Sequence, residues 1–128
     1  SFLQNDMHVR GICPMDDVPQ RREEMAHIAN SGAKRLGLDL ELCGSDFDND
    51  DSFVGERYGI PSPAGLEALR TVARTEGILL DPVYTSKAMA ALFQHIQAGA
   101  LDADQPVVFL HTGGNPALFA YAADVLDS

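Results

Sequence analysis

An open α/β fold with a three-layer, doubly wound parallel sheet is what this sequence predicts, and three features predict it. Short apolar runs alternate with longer segments of helical periodicity, strand then helix, four times over. Two of the runs, residues 78–80 and 107–110, stop at polar, turn-rich segments that lead directly into helices. The second is Val-Val-Phe-Leu, consecutively apolar as in a strand covered on both faces. In such a sheet the strand-to-helix edge is where small ligands are held. The segments after Leu80 and Leu110 are therefore the place to look for a site.

Each element has its own justification. Residues 8–13 (His-Val-Arg-Gly-Ile-Cys) are short, apolar and flanked by turn formers, which predicts the first strand. Asp16, Asp17 and Pro19 mark a helix start, because carboxylates meet free N–H groups in a first turn and Pro suits position one. Met25, Ile28, Ala29, Ala33 and Leu36 recur at helical spacing as one apolar stripe, and Gly37 is the stop. Leu38, Leu40 and Leu42 alternate with polar residues and predict a short strand exposed on one face. Residues 45–51 read as a solvated acidic loop. Asp46, Asp48 and Asp50 have the spacing of a calcium loop, but Asp51 stands where Gly is required and Arg57 where Glu is required.

Ser62 and Pro63 open the next helix as its cap and first residue. Leu66, Leu69, Val72 and Ala73 form its inner face, and Gly77 ends it. A buried strand at 78–80 is broken by Asp81-Pro82. Thr85 or Ser86 then caps a third helix with Ala88, Leu92 and Ile96 inward and Gly99 as terminator. After the strand at 107–110, Asn115-Pro116 begins a last helix carrying Leu118, Phe119 and Ala122.

Bulk properties narrow the function classes. The chain has 128 residues, 45% of them hydrophobic, which suits one domain with a real core. Its formal charge of −10 argues against nucleic acid as a partner, since phosphate binding needs clustered Lys and Arg. No apolar run reaches the roughly 18–20 residues of a membrane span. The opening six residues lack the basic and apolar blocks of a signal peptide, so the cytoplasm is expected. Cys13 and Cys43 fit no metal spacing and are expected as two buried thiols. His8, His27 and His95 have no partner at ligand spacing, so no metal is expected. The chain starts with Ser rather than Met, and its helices carry more apolar surface than so small a sheet can cover. A segment of a longer protein is expected.

The chemistry-bearing residues gather at the two strand ends. Gly113 and Gly114 sit between a strand and a helix, where backbone N–H groups can approach an anion. They lack the spacing of a dinucleotide fingerprint or a P-loop, so a tight turn is an equal reading. His111 and Thr112 end the same strand, and a histidine there is more often a hydrogen-bonded core residue than a base. Tyr84 and Thr85 follow the other strand. A tyrosine so placed offers a π-face to a planar ring and a hydroxyl to a substrate, or simply packs across the sheet top. Tyr58 lies in Arg57-Tyr58-Gly59-Ile60-Pro61, a loop stiffened by Gly and Pro. No Gly-x-Ser-x-Gly nucleophile elbow occurs.

Three stretches then carry a resemblance. Residues 58–61 (Tyr-Gly-Ile-Pro), 76–88 (Glu-Gly-Ile-Leu-Leu-Asp-Pro-Val-Tyr-Thr-Ser-Lys-Ala) and 111–119 (His-Thr-Gly-Gly-Asn-Pro-Ala-Leu-Phe) are similar to the C-terminal part of the D-cysteine desulfhydrase and 1-aminocyclopropane-1-carboxylate (ACC) deaminase family. The motifs come in the family's order, and the likeness reaches back through residues 8–13.

It implies a pyridoxal-phosphate enzyme of fold type II, similar to the β subunit of tryptophan synthase. Residues 1–128 would be the C-terminal part of its large, cofactor-binding domain. Tyr84 would lie against the pyridoxal ring and act in catalysis with Tyr58. Thr112, Gly113 and Gly114 would contact the cofactor, with the Thr112 hydroxyl at the ring nitrogen. A neutral hydroxyl there does not force protonation of that nitrogen, which tempers the cofactor as an electron sink and suits β-elimination. Thr85, Tyr58 and Thr112 would border a small amino-acid substrate.

Deaminases of the family carry Glu and Leu where this chain has Thr85 and Thr112. The resemblance therefore implies β-elimination from D-cysteine, giving sulfide, pyruvate and ammonia, with L-cysteate sulfo-lyase or ACC deaminase as alternatives. A homodimer is implied for the full-length enzyme. The family's Schiff-base lysine and phosphate loop lie upstream of the matched region, and Lys87 does not match that lysine. The chain alone is accordingly expected to be inactive and not to retain the cofactor. A reading of another class remains beside it: a non-catalytic α/β module that binds an anion or serves assembly.

Overall fold

The computed structural model describes residues 7–102 and 104–126; the opening six residues, read above for a signal peptide, lie outside them. Contacts divide the chain into two compact units. One comprises the described part of Ser1–Gly11 together with Asp16–Asp50, and the other Ile12–Met15 with the described part of Asp51–Ser128.

Strand β1 (Arg10–Ile12), whose Arg10 and Gly11 belong to the first unit, pairs with strand β2 (Asp48–Asp50). β1 falls within the expected segment. β2 falls in the stretch read as a solvated loop. Asp48 is placed by side chains opposite: Arg10 Nε donates to Asp48 Oδ2 at 2.8 Å, and His8 Nε2 lies 3.1 Å from the same oxygen. Cross-strand charge pairs of this kind favour pairing that propensity alone would not.

Helix α1 (Pro19–Arg35) follows with Pro19 in its first turn. Its cap is the extended Val18, without a side-chain hydrogen bond, so Asp16 and Asp17 are not the caps expected. Asp17 instead accepts from Arg22 Nε at 2.6 Å and Asn49 Nδ2 at 3.2 Å, which holds its carboxyl below the usual range. Of the expected stripe only Ala33 is buried; Ile28 and Leu36 are exposed. The strand expected at 38–42 does not form. Asn30 brackets the backbone of Leu42 instead, its Nδ2 donating to Leu42 O and its Oδ1 accepting from Leu42 N, both at 2.8 Å. One side chain thus satisfies the two groups a strand partner would have taken. Cys43 is exposed rather than buried, with Sγ donating to Asp46 Oδ2 at 3.2 Å.

The second unit is built on helices α2 (Pro63–Glu76) and α3 (Thr85–Gln97), which pack against each other. α2 is as the sequence predicts: Ser62 Oγ accepts from Gly65 N at 3.1 Å, Pro63 follows, and Gly77 closes it. Leu69, Val72 and Leu80 form the buried centre, with Met89, Phe93, Phe109, Leu118 and Val125 packed around them. The expected last helix is two short ones, α4 (Ala117–Ala120) and α5 (Ala122–Leu126). They break at Tyr121, whose hydroxyl donates to Gly59 O at 2.8 Å. Arg70 of α2 binds the end of α5, its Nε and Nη2 each 2.9 Å from the carbonyls of Val125 and Asp124.

Residues 78–80 and 107–110 form no strand among the described residues. Ile78, Leu79, Val107, Val108 and Leu110 stand exposed, Val108 and Leu110 at about four-fifths of their surface. A run apolar on both faces needs neighbours on both flanks for its N–H and C=O groups, and among the described residues no strand lies beside either run. What links the two segments is His111, through the carbonyl of Leu79.

Candidate active site

Asp81 organises the end of the first segment. It is fully buried, and its carboxylate accepts four hydrogen bonds: from Val83 N at 2.9 Å, Tyr84 N at 2.8 Å, and both Thr85 N and Thr85 Oγ1 at 2.7 Å. Asp81 therefore caps α3 from four residues upstream, where Thr85 or Ser86 was expected to cap. Burial by itself would push the carboxyl up. The hydrogen bonds from Thr85, Tyr84 and Val83 together outweigh it, and the carboxyl titrates below the usual range.

That cap aims Tyr84. Its side chain stays 44% exposed, and its hydroxyl shares a short hydrogen bond with the hydroxyl of Tyr58, itself 49% exposed. The two rings meet edge to face, centroids 6.1 Å apart at 61°. The contact with Tyr58 is the main reason the Tyr84 phenol titrates above its ordinary value; partial burial and the nearby Asp81 charge add to it. Tyr84 thus remains a protonated donor at neutral pH.

Tyr58 is held from behind. Gly59 turns the chain at φ +80, a conformation that strains any residue with a Cβ. Its carbonyl takes the Tyr121 hydroxyl, while Lys87 Nζ donates to Val54 O at 2.6 Å and Arg57 O at 3.5 Å.

The 111–114 segment comes to the same cap. His111 Nδ1 accepts from Gly113 N at 3.0 Å, which places the ring proton on Nε2, donated to Leu79 O at 2.9 Å. His111 is the hydrogen-bonded structural histidine. At Gly114 (φ +93) a Cβ would lie 2.8 Å from Asp81 Cγ, so the glycine is what lets this segment close on Asp81. A Cβ at Gly113 would meet nothing within 4 Å. Thr112 is exposed.

Tyr84 and Gly114 thus meet at the Asp81 cap, Tyr58 joins them through the Tyr84 hydroxyl, and Thr112 and Gly113 immediately precede Gly114 in the chain. Thr85 is placed otherwise. It is buried, and its hydroxyl both donates to Asp81 Oδ1 and accepts from Asp81 N at 2.8 Å, turned into the cap rather than toward an open surface. From the sequence, Asp81 reads only as a strand breaker and Lys87 only as a residue that is not the Schiff-base lysine, and Tyr121 is not singled out. Lys87 did carry a signal: it lies three and four residues before Ala90 and Ala91, both buried, on the inner face of α3. An apolar hollow of about 380 Å³ in the same unit, bordered by Leu69, Ala73, Leu79 and Phe119, shares no residue with the tyrosine pair.

Residues 6–113 match the family described as pyridoxal-phosphate dependent enzymes. This chain belongs to that family. It is 38% identical over 119 residues to the D-cysteine desulfhydrases of Salmonella typhi and Salmonella newport (strain SL254), a match spanning 93% of this chain and 35% of each relative. A solved structure described as a crystal structure analysis of the ACC deaminase homologue is similar with a TM-score of 0.76 at 27% identity, over 91% of this chain and 34% of that one. The α/β fold class of this enzyme family stands on that likeness, and the chain spans about a third of the length of the relatives it matches.

The residues present fit part of the family's cofactor. A half-exposed aromatic ring (Tyr84), an exposed hydroxyl (Thr112) and a glycine with open space at its Cβ position (Gly113) suit a flat pyridine ring with one polar ring atom. Its aldehyde finds no partner in this unit. Lys87 is the unit's sole lysine, 1% exposed and spent on carbonyls. The helix after Gly114 has four residues, too short for a substantial N-terminal dipole toward an anion.

Proposed function

We propose that this chain forms part of a pyridoxal-phosphate-dependent carbon–sulfur lyase that eliminates sulfide from D-cysteine, leaving pyruvate and ammonia. The observation carrying it is the Tyr58–Tyr84 hydroxyl pair, aimed by an Asp81 cap on which Gly114 also closes. The match to two D-cysteine desulfhydrases over nearly the whole chain supports the substrate class.

Tyr84 and Thr112 would hold the cofactor ring, which when bound supplies the electron sink for loss of the α-proton. The tyrosine pair would do the rest. Two phenols in contact can pass a proton between oxygens without a charged side chain, and a Tyr84 kept protonated acts as donor toward a leaving sulfur or the substrate amine. Thr85 would act at one remove, by fixing the Asp81 cap. A second reading, ACC deaminase, is favoured by the structural neighbour. Thr85 is what weighs against it, because the larger Glu of the deaminases cannot reproduce its two hydrogen bonds to Asp81.

The test compares three substrates on the cofactor-loaded enzyme: sulfide from D-cysteine, sulfite from L-cysteate, and 2-oxobutyrate from ACC. Sulfide release should dominate and fall about 10²–10⁴-fold in Tyr84→Phe and Tyr58→Phe. Dominant sulfite or 2-oxobutyrate would move the assignment to the corresponding alternative.

A further inference from the structure

Lys87 is an unusual residue to bury. It is 1% exposed, lies on the inner face of α3, and has no carboxylate partner among the described residues. A buried ammonium is costly unless its donors are used. Here two go to backbone carbonyls, Val54 O and Arg57 O, in a segment about 30 residues upstream. Desolvation lowers its pKa, as expected of a cation held by dipoles alone. The segment it grips is the one that carries Tyr58. Arg57 O is held by Lys87 and Gly59 O by Tyr121, so Tyr58 is anchored through the residue on either side. No carboxylate among the described residues recruits Lys87 into a charge pair, and its burial excludes a solubility role.

We infer that Lys87 is a positioning residue: its side chain ties the 54–57 backbone to α3 and so sets the Tyr58 hydroxyl against that of Tyr84. The inference deepens the reading above, on which the tyrosine pair works, but its test needs no turnover. α3 thereby holds both tyrosines, Tyr84 through the Asp81 cap at its start and Tyr58 through Lys87 two residues further in.

The chain has three tyrosines and no tryptophan, so phenolate absorbance near 295 nm follows those tyrosines with little interference. In the 128-residue chain, the Tyr84 transition is identified by its loss in Tyr84→Phe and should lie above the ordinary value of about 10. In Lys87→Met, with helical circular dichroism retained, that transition should fall back toward the ordinary value. It should return when Lys87→Cys, in a Cys13→Ser, Cys43→Ser background, is converted to the S-aminoethyl form that restores the ammonium. A folded Lys87→Met chain whose Tyr84 transition stays high overturns the inference. Should that variant not fold, site-resolved acylation of the parent chain decides. Lys87 should react at least about tenfold more slowly than exposed Lys34, and equal rates overturn the inference. Low sulfide release alongside an intact Lys87 effect would sink the lyase reading while leaving this one standing.

Discussion

The carboxylate of Asp81 is held by four neutral donors within a single turn of chain, with no cation on it among the described residues. Each hydrogen bond to a charged group is worth about 1.5–3 kcal/mol net, and leaving a buried donor unpaired costs about as much. Asp81→Asn keeps the shape but turns an amide toward backbone N–H groups that also donate. It should lower the unfolding free energy by about 1–3 kcal/mol, measured by urea denaturation. The pH dependence follows from the lowered carboxyl. The unfolded chain binds this proton at about pH 3.9, whereas the folded chain takes it up only at lower pH. The stabilisation is therefore complete above that value and is lost as pH falls through the folded pKa. Acid unfolding should thus begin at higher pH in Asp81→Asn only through its lower starting stability, and the slope of stability against pH near 4 should be smaller than in the parent. Equal slopes would remove Asp81 from the account.

Helices and turns give the next scale. α2 was legible because its cap, its proline and its terminal glycine are all local signals that need no partner. α3 was legible as a helix, but its cap was not, since Asp81 reaches it across Pro82 and Val83 rather than from the adjacent position. The two loops meet where Gly114 lies against Asp81, and this junction is the element on which the site depends. Gly114→Ala meets both a φ of +93 and the Asp81 side chain. Strain of this kind costs on the order of 1–3 kcal/mol. The variant should lose that much stability and, on the proposed lyase reading, most of the sulfide release of the cofactor-loaded enzyme. A fully active Gly114→Ala would show that the 112–114 segment need not close on Asp81.

On the scale of the whole molecule, the described residues leave apolar groups uncovered both at the predicted 107–110 strand and on the last helices. Val108, Leu110, Phe119 and Leu126 are each at least about three-quarters exposed, well beyond the single scattered apolar residues of an ordinary surface. The 128-residue chain is therefore expected to self-associate as its concentration rises, read by sedimentation velocity with a weight-average mass climbing above 13.8 kDa. A monodisperse monomer at high concentration would contradict this.

Residue order alone showed where candidate residues lie along the chain. Tyr84 and the 112–114 segment follow apolar runs and Tyr58 sits in a Gly- and Pro-stiffened loop, patterns that are local because turn formers, caps and apolar periodicity act within a few residues of each other. Family resemblance then added a cofactor those patterns could not name. What only the tertiary structure decided are pairings between distant positions: Tyr58 with Tyr84, Lys87 with Val54, Gly114 with Asp81, Asn30 with Leu42. The same holds for strands. Residues 107–110 look like a strand in every local respect and form none among the described residues, while the acidic 48–50 forms one because Arg10 lies opposite. Helices satisfy their own backbone, whereas strands and buried charges are satisfied only by a partner that the sequence does not specify locally.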